Sequence, residues 1–380
     1  MKRIYFDYAS TTPVDPQVIE AMNPYFFEKF GNASSPHALG QESLSALEEA
    51  RNTLALFICA HSSEIVFNSG ATEGCNHAIS GIAYSAIDQG KDHIIVSAIE
   101  HHAILEPVEQ LRDNGFKVTF VDVDENGVVS PEAIKEAITD KTMLVAVMHG
   151  SNEIGTIQPI KEISQITKEH NVPFLVDACQ TVGHIPINVK DLGCDLLTLS
   201  AHKFYGPKGI GALYIREGLK LSSFLLGGDQ ERSRRASTQN VAGAVGLASA
   251  IKLCASQMDE EIKEQTRLRD RLMTEIPKVI EGTKINGHMT QRLPNNVHFS
   301  FNKVQGESVL MSLDFEGICA SMGSACTSGA MEASHVLRSI GLDDDMSFGA
   351  LRLTLGRWTT DEHIDYLLEK LPGIIVGLRI

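Results

Sequence analysis

The sequence predicts an α/β fold: a large domain with a mixed, mostly parallel sheet flanked by helices, and a smaller α+β domain. From about residue 62 to residue 215, short β-rich runs alternate with helical patterns, which is typical of βαβ units. After residue 215 the alternation stops, and a long helical pattern extends from about Val241 to Val279. A chain of 380 residues also exceeds what one hydrophobic core usually supports, which favours two domains.

Local patterns place the elements in order. Apolar, β-rich runs predict strands at residues 64–67, 94–97, 143–148, 172–176 and 196–200. Helices are expected to begin at Thr72 and near His101. Later patterns predict strands at 296–301 and 350–355 and helices at 307–314 and 360–371. A boundary within the long helix, near residue 256, gives a large domain of residues 15–256 and a small domain of residues 1–14 and 257–380.

Composition restricts the classes of function. Apolar residues make up 43% and charged residues 21%, as in ordinary globular proteins. The net charge of −15 disfavours direct nucleic-acid binding, which needs clustered Lys and Arg. We find no apolar run long enough to span a membrane and expect no membrane association. The 7 cysteines are scattered without a C-x-x-C pair, which disfavours a zinc ribbon and a disulfide framework. We expect a cytoplasmic protein without a metal site.

Polar residues follow four of the predicted strands. Lys203, Asp177, Asn152 and His101 each come just after an apolar run. Because ligands of open parallel sheets bind outside the carboxyl ends of the strands, these side chains are expected to converge on one crevice. An amine, a carboxylate, an amide and an imidazole suit pyridoxal phosphate. The lysine would attach to its aldehyde, and the aspartate would pair with its ring nitrogen.

Each of these interpretations has an alternative. Lys208 competes with Lys203 but lies beyond a proline, and we expect it to reach a different side. Asp177 could form a buried salt bridge, since a carboxylate in an apolar setting must be paired. His101 could be structural. The turn Ser69-Gly70-Ala71-Thr72-Glu73 could be a capped helix start rather than a phosphate site.

Two further residues stand in unusual surroundings. Cys326 lies in a small, polar segment, whereas other cysteines such as Cys59 occupy apolar runs that indicate packing. An exposed thiol with a lowered pKa would be a nucleophile. Arg352 interrupts an otherwise apolar strand, where its planar guanidinium could hold a substrate carboxylate or form an interdomain salt bridge.

Together these motifs resemble the NifS/IscS-like cysteine desulfurases, a group of fold-type I pyridoxal-phosphate enzymes in the class-V aminotransferase family. The resemblance spans nearly the whole chain, and it rests on Tyr5-Phe6-Asp7-Tyr8-Ala9-Ser10-Thr11-Thr12, Gly31-Asn32-Ala33-Ser34-Ser35-Pro36-His37, Ser69-Gly70-Ala71-Thr72-Glu73, Asn152-Glu153-Ile154-Gly155, Asp177-Ala178-Cys179-Gln180, His202-Lys203, Gly323-Ser324-Ala325-Cys326 and Arg352. Ser237 and Ala333 depart from the family pattern, where a glycine and a proline are usual.

The resemblance implies a role for each matching residue. Lys203 would attach the cofactor, Asp177 would pair with its ring nitrogen, Gln180 would contact its ring oxygen and His101 would stack on the ring. The phosphate would be bound by Ala71, Thr72, Ser200 and His202, with Thr238 reaching the phosphate of the other subunit of a homodimer. The substrate carboxylate would be held by Asn152, Arg352 and Asn32.

The implied activity is conversion of L-cysteine to L-alanine, with the sulfur passed on as a persulfide of Cys326. The acceptor would be an iron–sulfur scaffold or a carrier for another thio-cofactor or for tRNA thiolation. An aminotransferase or a carbon–sulfur lyase would use Lys203 and Asp177 without needing Cys326. A non-catalytic subunit of a sulfur-transfer complex is a third possibility, which the intact set of polar residues disfavours.

Overall fold

The computed structural model describes residues 3–323 and 333–379. Cys326 lies outside the described residues. The strands are β1 (Ile4–Tyr5), β2 (Ile65–Asn68), β3 (His93–Ser97), β4 (Lys117–Val121), β5 (Thr142–Met148), β6 (Phe174–Asp177), β7 (Leu196–Ser200), β8 (Gly211–Ile215), β9 (Thr283–Asn286), β10 (Asn296–Phe301), β11 (Ile318–Cys319) and β12 (Ala350–Thr354).

The helices surround these strands. They are α1 (Pro16–Met22), α2 (Pro24–Phe27), α3 (Ala38–Phe57), α4 (Ala71–Ile87), α5 (His102–Asp113), α6 (Pro131–Ala137), α7 (Ile160–Glu169), α8 (Val189–Leu192), α9 (Gln230–Ser233), α10 (Val241–Val279), α11 (Gly306–Phe315), α12 (His335–Ser339), α13 (Asp344–Phe348) and α14 (Asp361–Leu378). Short 3₁₀ turns occupy Ser62–Glu64 and Ala201–Lys203. The predicted elements are therefore confirmed in type, with boundaries shifted by a few residues.

The main sheet has the strand order β2-β8-β7-β6-β5-β3-β4. Strands β3 to β7 are parallel, whereas β8 is antiparallel to both of its neighbours. The prediction of a mixed, mostly parallel sheet is confirmed. Since the parallel strands end at the same edge, the loops that follow β3, β5, β6 and β7 all open onto it.

Both faces of this sheet are buried. In β5, Val145 and Val147 pack into one hydrophobic cluster, and Leu144 and Ala146 pack into the cluster on the opposite face. Helices cover both sides, as expected for parallel strands whose apolar runs are continuous rather than alternating. Burial on both faces makes the sheet a rigid base for the loops at its edge.

A smaller antiparallel sheet has the order β12-β10-β9. It packs with α11, α14 and the second half of α10 around a separate hydrophobic cluster. The N-terminal segment joins this part of the chain: β1 pairs with β11, and Phe6 is fully buried in the cluster. Asp7 bridges to Thr354 at the end of β12, which carries the chain start toward the edge of the main sheet.

Helix α10 connects the two clusters. It packs on α3 and α1 through its first part and on α14 and β10 through its second part. Contrary to our expectation from the sequence, this helix includes a stretch with the length and apolar composition of a membrane span, the only one among the described residues. However, 56% of that stretch is buried inside the protein, as in a core helix.

Candidate active site

A cavity of about 560 Å³ opens at the carboxyl edge of the parallel strands. Its lining includes ten of the residues predicted from the sequence, namely Ala71, Thr72, His101, Asn152, Asp177, Gln180, Ser200, His202, Lys203 and Arg352. They are far apart in sequence. Most of them follow or end β3, β5, β6 and β7, which end side by side, whereas Ala71 and Thr72 begin α4 after β2 and Arg352 comes from β12 of the smaller sheet.

Lys203 ends the 3₁₀ turn that follows β7. Its Nζ donates hydrogen bonds to the carbonyl oxygens of Ala9 at 2.7 Å and Ser10 at 2.9 Å. Desolvation lowers the pKa of the Lys203 ammonium below its ordinary value. Because the neutral amine is the nucleophilic form, this environment favours attack on an aldehyde.

Lys208 lines the same cavity. Our expectation that it reaches a different side is therefore wrong. It differs from Lys203 in its surroundings, because Lys208 is exposed at the rim whereas Lys203 is partly buried against the N-terminal segment. The buried amine remains the better candidate for covalent attachment of a cofactor.

The turn before α4 provides backbone donors for a phosphate. Gly70 has φ 149°, and an added Cβ there would lie only 3.2 Å from Ser200 Oγ, so glycine allows the close approach of the two loops. Within the part of the chain that the structure describes, no side chain caps the N-terminus of this 17-residue helix. The first amide groups of α4, beside the Thr72 and Ser200 side chains, therefore face the cavity as an anion site.

His101 caps the N-terminus of α5 after β3, and Asp177 ends β6, with β5 between these two strands. The His101 Nδ1 accepts a hydrogen bond from the Ala103 backbone N–H at 3.0 Å, so this nitrogen carries no proton. Burial lowers the pKa of His101, which keeps the ring neutral. Asp177 is 8% exposed, and its Oδ1 accepts from the Cys179 backbone N–H at 2.9 Å. No arginine or lysine forms a salt bridge with Asp177 among the described residues, so the salt-bridge alternative is not observed.

The N-terminal segment forms one wall of the cavity. Gln180 Nε2 donates to the Ala9 carbonyl oxygen at 3.0 Å, and His202 Nδ1 lies 3.1 Å from Thr11 Oγ1. Sequence reasoning gave residues 9–11 no role in the site. The sequence feature that could have indicated this role is the run of small or polar side chains at residues 9–11, which follows Tyr5 and Tyr8 and precedes Pro13.

Arg352 is 2% exposed and belongs to β12. Its Nη1 donates to the carbonyl oxygens of Asn152 at 3.0 Å and Gly323 at 3.2 Å. Its Nη2 donates to Asp7 Oδ1 at 2.7 Å and Ser10 Oγ at 2.8 Å. Its Nε is buried without a hydrogen-bond partner among the described residues. A buried donor of this kind suits a carboxylate ligand.

Two predicted residues lie elsewhere in this chain. Asn32 is exposed, and its Oδ1 accepts from the Ser34 backbone N–H rather than facing the cavity. Thr238 lines a second, smaller cavity next to Asn68 and Ser69.

Cys59 is exposed, so its interpretation as a packing residue is wrong. Cys179 lines the main cavity, which its neighbours in sequence did not indicate.

These residues fit pyridoxal phosphate. The cavity combines a partly buried amine, a carboxylate, a neutral imidazole and a helix N-terminus without a side-chain cap. They match the aldehyde, the ring nitrogen, the ring face and the phosphate of that cofactor. No cluster of metal ligands occurs in residues 3–323 and 333–379.

Comparison with known proteins places this site in a family. The family model described as "Aminotransferase class-V" matches residues 4–367, and the chain belongs to this family. Its curated relatives include the cysteine desulfurase IscS of Dictyoglomus turgidum, 51% identical over 380 residues, covering 100% of this chain and 96% of the relative. The cysteine desulfurase IscS of Methanosarcina thermophila is 50% identical over 378 residues, covering 100% and 93%.

Solved structures agree with this assignment. A NifS-like protein superposes with a TM-score of 0.93 at 37% identity, covering 99% of this chain and 100% of that one. A structure described as SspA in complex with cysteine has a TM-score of 0.84 at 33% identity, covering 94% and 100%. The predicted family and fold are thus confirmed.

Proposed function

We propose that this chain is a pyridoxal-phosphate-dependent cysteine desulfurase that converts L-cysteine to L-alanine and passes the sulfur on through a persulfide of Cys326. The observation that carries the proposal is the convergence of the Lys203 amine and the Arg352 guanidinium on one cavity. An amino-acid substrate needs both: a group that acts at its α-carbon and a group that binds its carboxylate. The full-length similarity to cysteine desulfurases supports cysteine as the substrate.

The residues around the cavity would hold the cofactor. Lys203 would attach to it, Asp177 would face its ring nitrogen, and His101 would lie on its ring. The turn before α4, with Ser200 and His202, would bind its phosphate. When bound, pyridoxal phosphate supplies an aldehyde that links to amines and a ring that accepts electron density from the substrate α-carbon.

Four side chains around the cavity would act on the substrate itself. Arg352 binds the substrate carboxylate through its unpaired Nε, and the Asn152 amide completes that subsite. The Lys203 amine takes the α-proton, a role that its lowered pKa supports. The neutral His101 ring, whose Nδ1 accepts from the Ala103 backbone N–H, would use its Nε2 to move a proton near the substrate sulfur.

Sulfur transfer requires a second nucleophile. The Cys326 thiolate attacks the substrate sulfur, a sulfur–sulfur bond forms, and the carbon–sulfur bond breaks. The β-carbon takes up a proton, Lys203 returns the proton to the α-carbon, and the carbon skeleton leaves as alanine. The location of Gly323 in the cavity lining supports this role, because Cys326 follows it by three residues in the sequence.

Several features of the wider protein belong to the same proposal. We assign the large domain to residues 15–256 and the small domain to residues 1–14 and 257–380, supported by the separate hydrophobic clusters. Thr238 would complete the phosphate site of a partner subunit in a homodimer, and Asn32 would contribute to substrate binding. The sulfur acceptor would be an iron–sulfur scaffold or another carrier protein, in the cytoplasm.

The test compares alanine and sulfide release from L-cysteine, with a reductant, by the parent and its Cys326→Ala variant. We expect alanine from the parent and almost none from the variant. Cys59→Ala is the matched control, because Cys59 is an exposed cysteine that does not line the cavity and should be dispensable. Equal turnover by the parent and Cys326→Ala would instead indicate a lyase or an aminotransferase.

A further inference from the structure

A buried carboxyl group lies beside both described ends of the chain that flank residues 324–332. Glu153 is 3% exposed, and its Oε2 accepts a hydrogen bond from Ser334 Oγ at 2.6 Å. On the other side, an added Cβ on Gly323 would lie 2.9 Å from the same oxygen. Gly323 has φ 108°, so only glycine brings the backbone this close without strain.

Ser334 uses its whole hydrogen-bonding capacity here. Its hydroxyl donates its single proton to Glu153. The same oxygen accepts from the Val336 and Leu337 backbone N–H groups at 3.1 and 3.4 Å, as the N-cap of α12. The Glu153 carboxyl group therefore orients the Ser334 hydroxyl that caps α12. In this way it also positions the start of α12, just after residue 332.

Other contacts hold the same two ends. The Met322 carbonyl oxygen lies 3.2 Å from His298 Nε2, and the Glu100 carbonyl oxygen lies 3.0 Å from His335 Nε2. These bonds join each end to a different part of the protein. Glu153 differs from them, because a single oxygen atom, Oε2, accepts from Ser334 at one end and leaves no room for a side chain on Gly323 at the other.

The turn that carries Glu153 is itself tightly held. Arg352 Nη1 donates to the Asn152 carbonyl oxygen at 3.0 Å, and Arg292 Nη2 donates to the Ile154 carbonyl oxygen at 3.1 Å. The residues before and after Glu153 are thus anchored by buried guanidinium groups. One of these residues, Asn152, belongs to the proposed substrate subsite.

We propose that Glu153 is a positioning residue that sets both ends of the segment carrying Cys326 relative to the substrate subsite of Asn152 and Arg352. This inference rests on the proposed function, because it concerns the approach of Cys326 to bound cysteine. Glu153 is not among the described residues that line the cavity, so its effect is on sulfur transfer rather than on binding.

A purely structural role would be served as well by an apolar side chain. Burying a carboxyl group carries a desolvation cost, which a well-packed apolar residue avoids. Burial also raises the pKa of Glu153, which favours its neutral form. A glutamine, neutral and of the same shape, should therefore preserve the contact with Ser334, whereas alanine should remove it.

The experiment measures sulfur loading of Cys326 in a single turnover. The holoenzyme is mixed with L-cysteine, quenched over time, and the gain of one sulfur atom on the peptide containing Cys326 is followed by mass spectrometry. The variants are Glu153→Ala, Glu153→Gln, Ser334→Ala and the double alanine variant. Asp343→Ala is the matched control, because Asp343 caps the neighbouring helix α13.

We expect Glu153→Ala and Ser334→Ala each to slow loading by about tenfold, the effect of one lost buried hydrogen bond. Glu153→Gln should stay within about threefold of the parent, and the double variant should be no slower than the slower single variant, because both remove the same interaction. The change in cofactor absorbance on cysteine addition, and its concentration dependence, should match the parent. Asp343→Ala should load normally.

A second readout does not depend on activity. Amide hydrogen exchange at residues 333–337 should be faster in Glu153→Ala than in the parent and unchanged in Glu153→Gln. Unchanged exchange, parental loading rates in both alanine variants, or multiplicative effects in the double variant would each overturn the inference. If Glu153→Ala does not fold, equal loading rates in Ser334→Ala and Ser334→Thr would overturn it as well, because threonine keeps the hydroxyl that contacts Glu153. A parent that never loads sulfur on Cys326 would instead overturn the proposed function itself.

Discussion

The Arg352 guanidinium donates a hydrogen bond of 2.7 Å to the Asp7 carboxylate, although 345 positions separate the two residues in sequence. The backbone repeats the connection nearby, since the Thr354 N–H donates to the Phe6 carbonyl oxygen at 2.8 Å. The start of the chain and its last strand thus meet beside the cavity. Asp7 holds the guanidinium through Nη2, while the Arg352 Nε has no hydrogen-bond partner among the described residues.

Arg352→Lys tests the carboxylate subsite. Lysine keeps the positive charge near Asp7 but lacks the separate Nε donor that is proposed to bind the substrate carboxylate. We expect the KM for L-cysteine to rise by about tenfold or more, the effect of losing a charge-assisted hydrogen bond. Steady-state kinetics measure this change. Arg267→Lys, in an exposed ion-pair cluster, should leave KM unchanged, and an unchanged KM in Arg352→Lys would exclude the assignment.

The two lysines at the cavity can be separated by reduction with borohydride. Reduction should fix the cofactor to the parent and to Lys208→Ala, but not to Lys203→Ala, because only Lys203 is desolvated and held against the Ala9 and Ser10 carbonyl oxygens. Peptide mapping of the labelled residue provides the measurement. A label on Lys208 in the parent would reverse the assignment.

Ser237 has φ 101°, a backbone conformation that favours glycine. The same position departs from the family pattern in the sequence. We expect Ser237→Gly to relieve the strain and raise the free energy of unfolding by about 1 kcal/mol. Urea unfolding measures the difference. Ser237→Ala is the control, because alanine retains the Cβ and should bring no gain.

Glu100 is fully buried, and desolvation raises its pKa to about 8. Its Oε1 accepts from Ser97 and Met148, while its Oε2 has no partner among the described residues. Between the unfolded pKa of about 4.3 and the folded value, the native state holds a proton that the unfolded chain has released. The stability contributed by Glu100 therefore falls as pH rises through this window.

Glu100→Gln removes this titration. The free energy of unfolding of the variant, minus that of the parent, should increase by about 2 kcal/mol when the pH is raised from 5.5 to 7.5. Urea unfolding at both pH values measures the gain. Glu106→Gln, whose carboxylate is largely exposed, should show no such difference. Parallel pH profiles for the parent and Glu100→Gln would show that Glu100 is ionised in the folded state.

Local patterns identified the residues at the strand ends. Lys203 and Asp177 stand out because each is a charged residue directly after an apolar run, and such a run is buried in any α/β sheet. Parallel pairing then brings the ends together. The glycine-containing turn before α4 and the long helix α10 were likewise local features, and the structure has both.

The expectation for Lys208 was wrong for a physical reason. The proline before it does not direct Lys208 away from the site, since Lys208 is exposed and lines the cavity. Whether a side chain in a turn faces the cavity depends on the backbone angles of that turn, which composition alone does not determine. The wrong expectation for Cys59 has a similar reason. Cys59 is exposed and has a φ of 60° just after the end of α3, a backbone angle that composition does not determine.

The sequence by itself determined the α/β fold, the chemical groups of the site and the family, because these depend on strand periodicity and on motifs of neighbouring residues. Only the tertiary structure decided which distant groups meet. The contact of Arg352 with Asp7 and of Glu153 with Ser334 joins residues 345 and 181 positions apart. Such contacts depend on how separate layers pack, and no local pattern in the sequence records that packing.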